Sequence, residues 1–235
     1  MNLLIFGDSL AFYGPDGARP ADDPGLWPNV LADRLGAQVG LFAGVGWTAR
    51  DAYWSLTGDP TVWPWLPRID ALVLAVGGMD TLPSPLPTYL RQGIRYLRPE
   101  PLRRHVRGVY LAAQPALAKL LRGTPVALPP ALSVVYLDRM LTGIRALRPG
   151  LPAVAVVPPP HRAVSYGLVH TGRARAEAAI REWTGRRGVA LVDLPSVVSR
   201  HVLGGHGNAD GIHWGWEGHR LVGEAFAKQL AGSVA

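Results

Sequence analysis

The chain has 235 residues, 48% apolar and 17% charged, which excludes disorder and fits one α/β domain spanning 1–235 with a sizeable core. It contains no cysteine, which excludes disulfides and thiolate metal sites. The formal charge is +7, and every basic residue but Lys119 and Lys228 is arginine; codon usage or an anionic ligand accounts for this, with the arginines spread along the chain and no nucleic-acid module evident.

Residues 2–6 (NLLIF) predict a buried strand, followed at once by the polar Gly7-Asp8-Ser9. That apolar run is too short for a signal peptide, and no stretch approaches the roughly 20 apolar residues of a membrane span. A soluble, cytoplasmic protein is expected. A helix over 26–35 stops at Gly36, and strands follow over 37–42 and 70–76. The segment 83–150 is too long for a simple crossover. It reads as a proline-rich helical insertion after the third strand and a candidate cap, with helical patterns over 88–98 and 133–147. In the first pattern Arg91, Arg95 and Arg98 form one stripe. It reads either as the solvated face of an ordinary amphipathic helix or as arginines reaching a phosphorylated ligand. A strand over 153–157, a helix over 173–184 closed by Gly185, a strand over 189–193 and a helix over 217–231 complete the chain. Strands alternating with helices predict a parallel sheet covered on both faces.

Polar clusters follow the predicted strands: Gly7-Asp8-Ser9-Leu10, Gly44 to Thr48, Gly77-Gly78-Met79-Asp80, Pro158 to Arg162, and Asn208 to His213. In a parallel sheet all five loops leave from one edge, where open α/β sheets bind ligands. Ser9 is a candidate nucleophile, but its hydroxyl needs a base. Asp210 and His213, three residues apart, can supply that base and orient it. The glycines let backbone N–H groups approach an oxyanion. Taken singly, Ser9 reads as a helix cap, Asp-x-x-His as a local hydrogen bond and the glycines as turns. Together they fit acyl transfer through a serine ester. His161, Arg162, Tyr166 and His170 are candidates for binding an anionic substrate group. Trp27, Trp47, Trp214 and Trp216 are candidates for stacking on sugar, with core packing the favoured reading of Trp27. His201 and His206 read as shaping the loop before Asp210. No spacing resembles a zinc site, so neither metal nor cofactor is expected.

These blocks, from Gly7 to Gly218-His219, resemble the SGNH (GDSL) hydrolase superfamily. The resemblance implies a three-layer, flavodoxin-like α/β/α sandwich on a five-stranded parallel sheet. It implies Ser9 as nucleophile, His213 as base, Asp210 as its orienting acid, and the N–H groups of Ser9 and Gly46 as the oxyanion hole. The third block of the superfamily reads Gly-x-Asn-Asp, with the asparagine as a further oxyanion donor. Here that position is Met79, whose thioether donates no hydrogen bond. Within the superfamily, SLAFYGPDGARPADDPGLWPN (9–29), GWTARD (46–51), GGMDTLPSPLP (77–87) and GNADGIHW (207–214) resemble a mycobacterial group of acyltransferases that shares Met79. That resemblance implies octanoyl transfer from acyl-CoA, as co-substrate, to a sugar hydroxyl of diglucosylglycerate, early in methylglucose lipopolysaccharide synthesis. It makes Asp8, Trp47, Met79 and Asp80 candidates for the substrate site. The alternative is an esterase or thioesterase using the same residues.

Overall fold

The computed structural model describes residues 1–234. Five parallel strands form the central sheet: β1 (Asn2–Asp8), β2 (Gln38–Gly44), β3 (Ala71–Ala75), β4 (Ala153–Val156) and β5 (Ala190–Val192). Their spatial order is β2-β1-β3-β4-β5, so β1 lies inside the sheet. Asp8 pairs with Gly44, and Gly7 pairs with both Ala43 and Ala75. The chain therefore leaves three neighbouring strands at one level, and the loops that follow them meet. A two-residue ribbon, Tyr13–Gly14 against Gly17–Ala18, lies just beyond β1.

The α-helices among the described residues are α1 (Trp27–Leu35), α2 (Ala49–Gly58), α3 (Thr88–Gly93), α4 (Glu100–Leu120), α5 (Pro130–Leu147), α6 (Gly172–Arg187), α7 (Leu194–Leu203) and α8 (Trp216–Val234). Strand side chains alternate between two faces. Leu3 and Ile5 pack with residues of α1, α7 and α8, whereas Leu4 and Phe6 pack with residues of α2, α5 and α6. All four are fully buried, and each such side chain stabilises the fold by roughly 1.5–3 kcal/mol.

The helices differ from the sequence reading where proline and glycine misled it. The helix expected to close at Gly185 continues to Arg187, and Gly188 stops it in the left-handed region at φ 58°. The 88–98 pattern breaks into the short α3 and a 3-10 turn at Ile94–Tyr96. The longest helix, α4, is partly masked in sequence by its prolines. Pro101 sits in its first turn, where the missing N–H costs nothing, and Pro115 is accommodated inside. α2 also forms, and Thr48 and Asp51 close a reciprocal capping box at its start. α7 is capped by the Asp193 side chain, which accepts from Ser196 N–H.

The insertion is of two kinds. α5 buries Ser133, Leu137, Met140, Leu141 and Ile144 and belongs to the core layer. Over its 21 residues α4 buries only Gln114 and Ala118, and it packs on the turn at Val164–Tyr166. Together α3 and α4 form an arm at the edge where β1, β2 and β3 end.

Candidate active site

Ser9 follows β1 directly and opens a short 3-10 turn, Ser9–Ala11. The preceding Asp8 caps that turn, its Oδ1 accepting from Leu10 N–H at 2.9 Å. Ser9 is therefore held by strand pairing on one side and by a cap on the other. His213 comes from the loop before α8, and its Nε2 lies 2.8 Å from Ser9 Oγ. Its Nδ1 lies 2.5 Å from Asp210 Oδ2. Burial opposes ionisation of Asp210, but the hydrogen bond from His213 and two backbone amides outweigh it and hold the carboxyl down at about 2. Those amides are Ile212 N–H and His213 N–H, both on Oδ1. With Asp210 ionised, His213 Nδ1–H donates to it, which leaves Nε2 to accept from the Ser9 hydroxyl.

The loop carrying this pair is braced at several points. Asn208 Oδ1 accepts from Asp210 N–H, and Asn208 Nδ2 donates to Gly14 O. Gly211 has φ +76°, and a Cβ there would lie 2.6 Å from Arg162 O, so the tight packing against Arg162 requires glycine. Arg162 N–H donates to Gly211 O in return. His201 Nε2 accepts from Gly215 N–H just past His213. Tyr13 stacks on the His213 ring with centroids 4.4 Å apart. Fully buried His219 fixes Tyr13 from below: its Nδ1 accepts from Trp27 N–H and its Nε2–H donates to Tyr13 O. Burial keeps His219 neutral, with a pKa of about 4. Tyr13 lies within the 9–29 stretch that carries the resemblance, but nothing in the sequence gave it a role at the site.

Ser9, Gly46, Trp47, Met79, Tyr166 and His213 line one cleft of about 600 Å³. Gly46 has φ +71°, the left-handed region that glycine adopts without strain, and its N–H makes no hydrogen bond among the described residues. The Met79 methyl lies 3.8 Å from where a Cβ on Gly46 would stand. Asp80 lies behind the cleft, fully buried, and its Oδ1 accepts from Ala49 N–H at 3.0 Å. That bond ties the loop after β3 to the start of α2, just beyond Gly46 and Trp47. Burial pushes the Asp80 carboxyl up to about 7, against hydrogen bonds from the Ser133 side chain and Ala49 N–H. Burial also pushes Asp8 up to about 6, against its bond from Leu10 N–H and the nearby His213.

Four other candidates are placed elsewhere. Trp214 is buried in the core on the α1–α8 face. Arg162 directs its guanidinium over Gly205 and meets the site loop through its backbone. His161 and His170 pack ring to ring at 4.2 Å behind the loop after β3, where His170 Nε2 lies 2.7 Å from Thr81 Oγ1. Burial lowers both, His161 to about 4 and His170 to about 3, so both are neutral and read as props. Conversely, Arg91 and Arg95 of α3 and its following turn, with Arg107 of α4, line the cleft beside Ser9. The solvated-face reading of that stripe is incomplete, because two of its three arginines face the site. The sequence places His105 and the arginines around it on a helix, but it bounds no such helix and gives no sign that Arg107 faces the site.

A strand-end serine, a histidine on its hydroxyl and a carboxylate on the histidine, set on this sheet, define a serine enzyme of acyl chemistry. The chain belongs to the GDSL-like Lipase/Acylhydrolase family, whose profile matches residues 5–221. It is 51% identical over 97% of its length to a diglucosylglycerate octanoyltransferase of Mycolicibacterium hassiacum, covering 94% of that protein. A diglucosylglycerate octanoyltransferase of Mycobacterium tuberculosis is 49% identical over 97% of this chain and 92% of its own. Among solved structures, a lipase/acylhydrolase from Enterococcus faecalis superposes with a TM-score of 0.65 over 98% of this chain and 95% of its own, at 14% identity, which speaks for the fold alone.

Proposed function

We propose that the protein is a serine acyltransferase that moves an octanoyl group from acyl-CoA to a sugar hydroxyl of diglucosylglycerate, early in methylglucose lipopolysaccharide synthesis. The observation that carries this reading is the 51% identity, over nearly the full length of both chains, to a diglucosylglycerate octanoyltransferase. The site residues support it with a complete chemistry. His213 Nε2 takes the Ser9 proton as Oγ attacks the thioester carbonyl. The oxyanion is met by the N–H groups of Ser9 and Gly46. Collapse breaks the C–S bond, and the departing thiolate takes the proton from His213. The sugar hydroxyl then attacks acyl-Ser9, losing its proton to His213, and Ser9 regains that proton as the ester product leaves.

Met79 fits this donor better than it fits an oxygen ester. Without an asparagine the oxyanion hole has two backbone donors. A thiolate is a far better leaving group than an alkoxide, so the thioester needs less help. Transfer also requires that water be kept from acyl-Ser9. The apolar faces of Met79, Trp47, Val45 and Ile212 line the cleft and serve that end. A coenzyme A thioester as donor implies a cytoplasmic setting. Among the described residues no helix is long and apolar enough to cross a membrane.

The test is a mass-spectrometric product assay with octanoyl-CoA, with and without diglucosylglycerate. Octanoylated sugar that forms only with intact Ser9 supports transfer. Free octanoate released at the same rate with or without the sugar makes the protein a thioesterase instead.

A further inference from the structure

The charge of the chain is not spread evenly. Between Asp80 and Asp138 the chain holds seven arginines, one lysine and a single acid, Glu100, which accounts for the whole formal surplus of +7. The rest of the chain is balanced, with 16 basic and 16 acidic residues. The arm of α3 and α4 gathers most of this charge around a second pocket of about 590 Å³. Arg91, Arg95, Arg107 and Tyr166 line both this pocket and the cleft at Ser9, so the two spaces adjoin. Arg103 and Arg104 stand on the pocket's other wall, each paired with Glu100. Among the described residues Arg91, Arg95 and Arg107 pair with no carboxylate. Arg91 lies near the Tyr166 hydroxyl, and Arg95 reaches only the backbone carbonyl of Gln92 and the face of Tyr96. Tyr110 Oη, enclosed at the wall, has no partner either.

Guanidinium groups gathered round one hollow repel one another, and an anion between them offsets that cost. The charge count selects among anions. A lone carboxylate is satisfied by one bidentate arginine. Three unpaired arginines and two half-neutralised ones suit several phosphate charges. The apolar faces of Ile94, Leu111 and Tyr110 in the same pocket suit a flat base.

We propose that this pocket binds the phosphate-bearing nucleotide end of the acyl donor, with Arg95 and Arg107 as its principal phosphate ligands. The proposal rests on the donor reading above and assigns its recognition to the arm. The thioester arm of the ligand then runs through the shared wall, past Arg91 and Tyr166, to Ser9. The same arginines could instead meet the carboxylate of the acceptor, and the experiment separates the two.

The measurement is calorimetric binding of free coenzyme A, and separately of diglucosylglycerate, to the Ser9→Ala protein, which removes turnover from the readout. Paired substitution Arg95→Gln with Arg107→Gln is expected to raise the Kd for coenzyme A by about tenfold or more, since it removes charge-assisted hydrogen bonds to phosphate. Arg98→Gln, from the same stripe but facing neither space, is expected to change it less than about twofold, as charge loss alone would. Thermal melts confirm that each variant is folded. An unchanged Kd in the double variant, an equal loss with Arg98→Gln, or a loss confined to diglucosylglycerate overturns the proposal. If coenzyme A binds through these arginines while the wild-type protein acylates no sugar, the pocket stands and the transferase reading falls.

Discussion

The strand-end loops and the α3–α4 arm both reach the cleft, but they hold their side chains in opposite ways. Around Ser9 the functional groups are tied in. Asp8 caps the turn, Asp210 takes two amides as well as His213, and His219 holds the tyrosine on which His213 stacks. On the arm, the arginines that face the site have no acidic partner among the described residues, and α4 leaves Leu102, Val109, Leu111 and Leu120 exposed. Groups that must meet a reacting atom at a fixed distance are over-determined by their surroundings. Groups that must attract and seat a charged ligand are kept unpaired. Most of the formal surplus of charge lies on the arm, away from the tied-in groups.

Several substitutions break or sharpen this contrast. The largest effect is expected at the tied-in part. Asp210→Asn leaves the shape of the loop but removes the charge that orients His213, so kcat is expected to fall about 10³–10⁴-fold with little change in Tm. A kcat within tenfold of wild type would mean that Asp210 only shapes the loop. Next comes the division within the insertion. Met140→Ala empties a fully buried position on α5 and is expected to cost about 2–5 kcal/mol in denaturant unfolding. Leu120→Ser, at the exposed end of α4, is expected to change stability by less than about 0.5 kcal/mol. Equal losses would show α4 to be as much a part of the core as α5.

A smaller effect is expected in the pH dependence of stability. Asp8 and Asp80 are raised by burial to about 6 and about 7, against 3.8 in an unfolded chain. Between those values the folded state holds protons that the unfolded state has released. Their stabilising contribution is therefore complete below about pH 3.8 and is lost as the pH rises through 6 to 7. Buried His161, His170 and His219, held neutral, act in the opposite sense in both proteins, so the expectation is a difference: from pH 5 to pH 8 the Tm of the wild type is expected to fall relative to that of Asp80→Asn. The same pH dependence in both would place the titration elsewhere.

The sequence revealed most about the tied-in part, for a physical reason. Strand periodicity and the spacing of Asp210 and His213 are local signals, and a parallel sheet brings strand-end loops to one edge without further information. The arm was harder. Pro101, Gly108 and Pro115 conceal α4, and only the path of that helix brings Arg107 beside Arg91. Nearness in sequence also misled in both directions. Trp214 adjoins His213 yet turns into the core, and Arg162 acts on the site loop through its backbone, while Tyr13, given no role by the sequence, sits on the histidine ring.

The most direct test of the central claim, that Ser9 carries the acyl group, is single-turnover mass spectrometry of the protein mixed with octanoyl-CoA and then with diglucosylglycerate. The account predicts one octanoyl group on the wild-type chain, mapped to Ser9 and chased onto the sugar, with neither adduct nor product from Ser9→Ala. Octanoylated sugar formed by folded Ser9→Ala at close to the wild-type rate would contradict it.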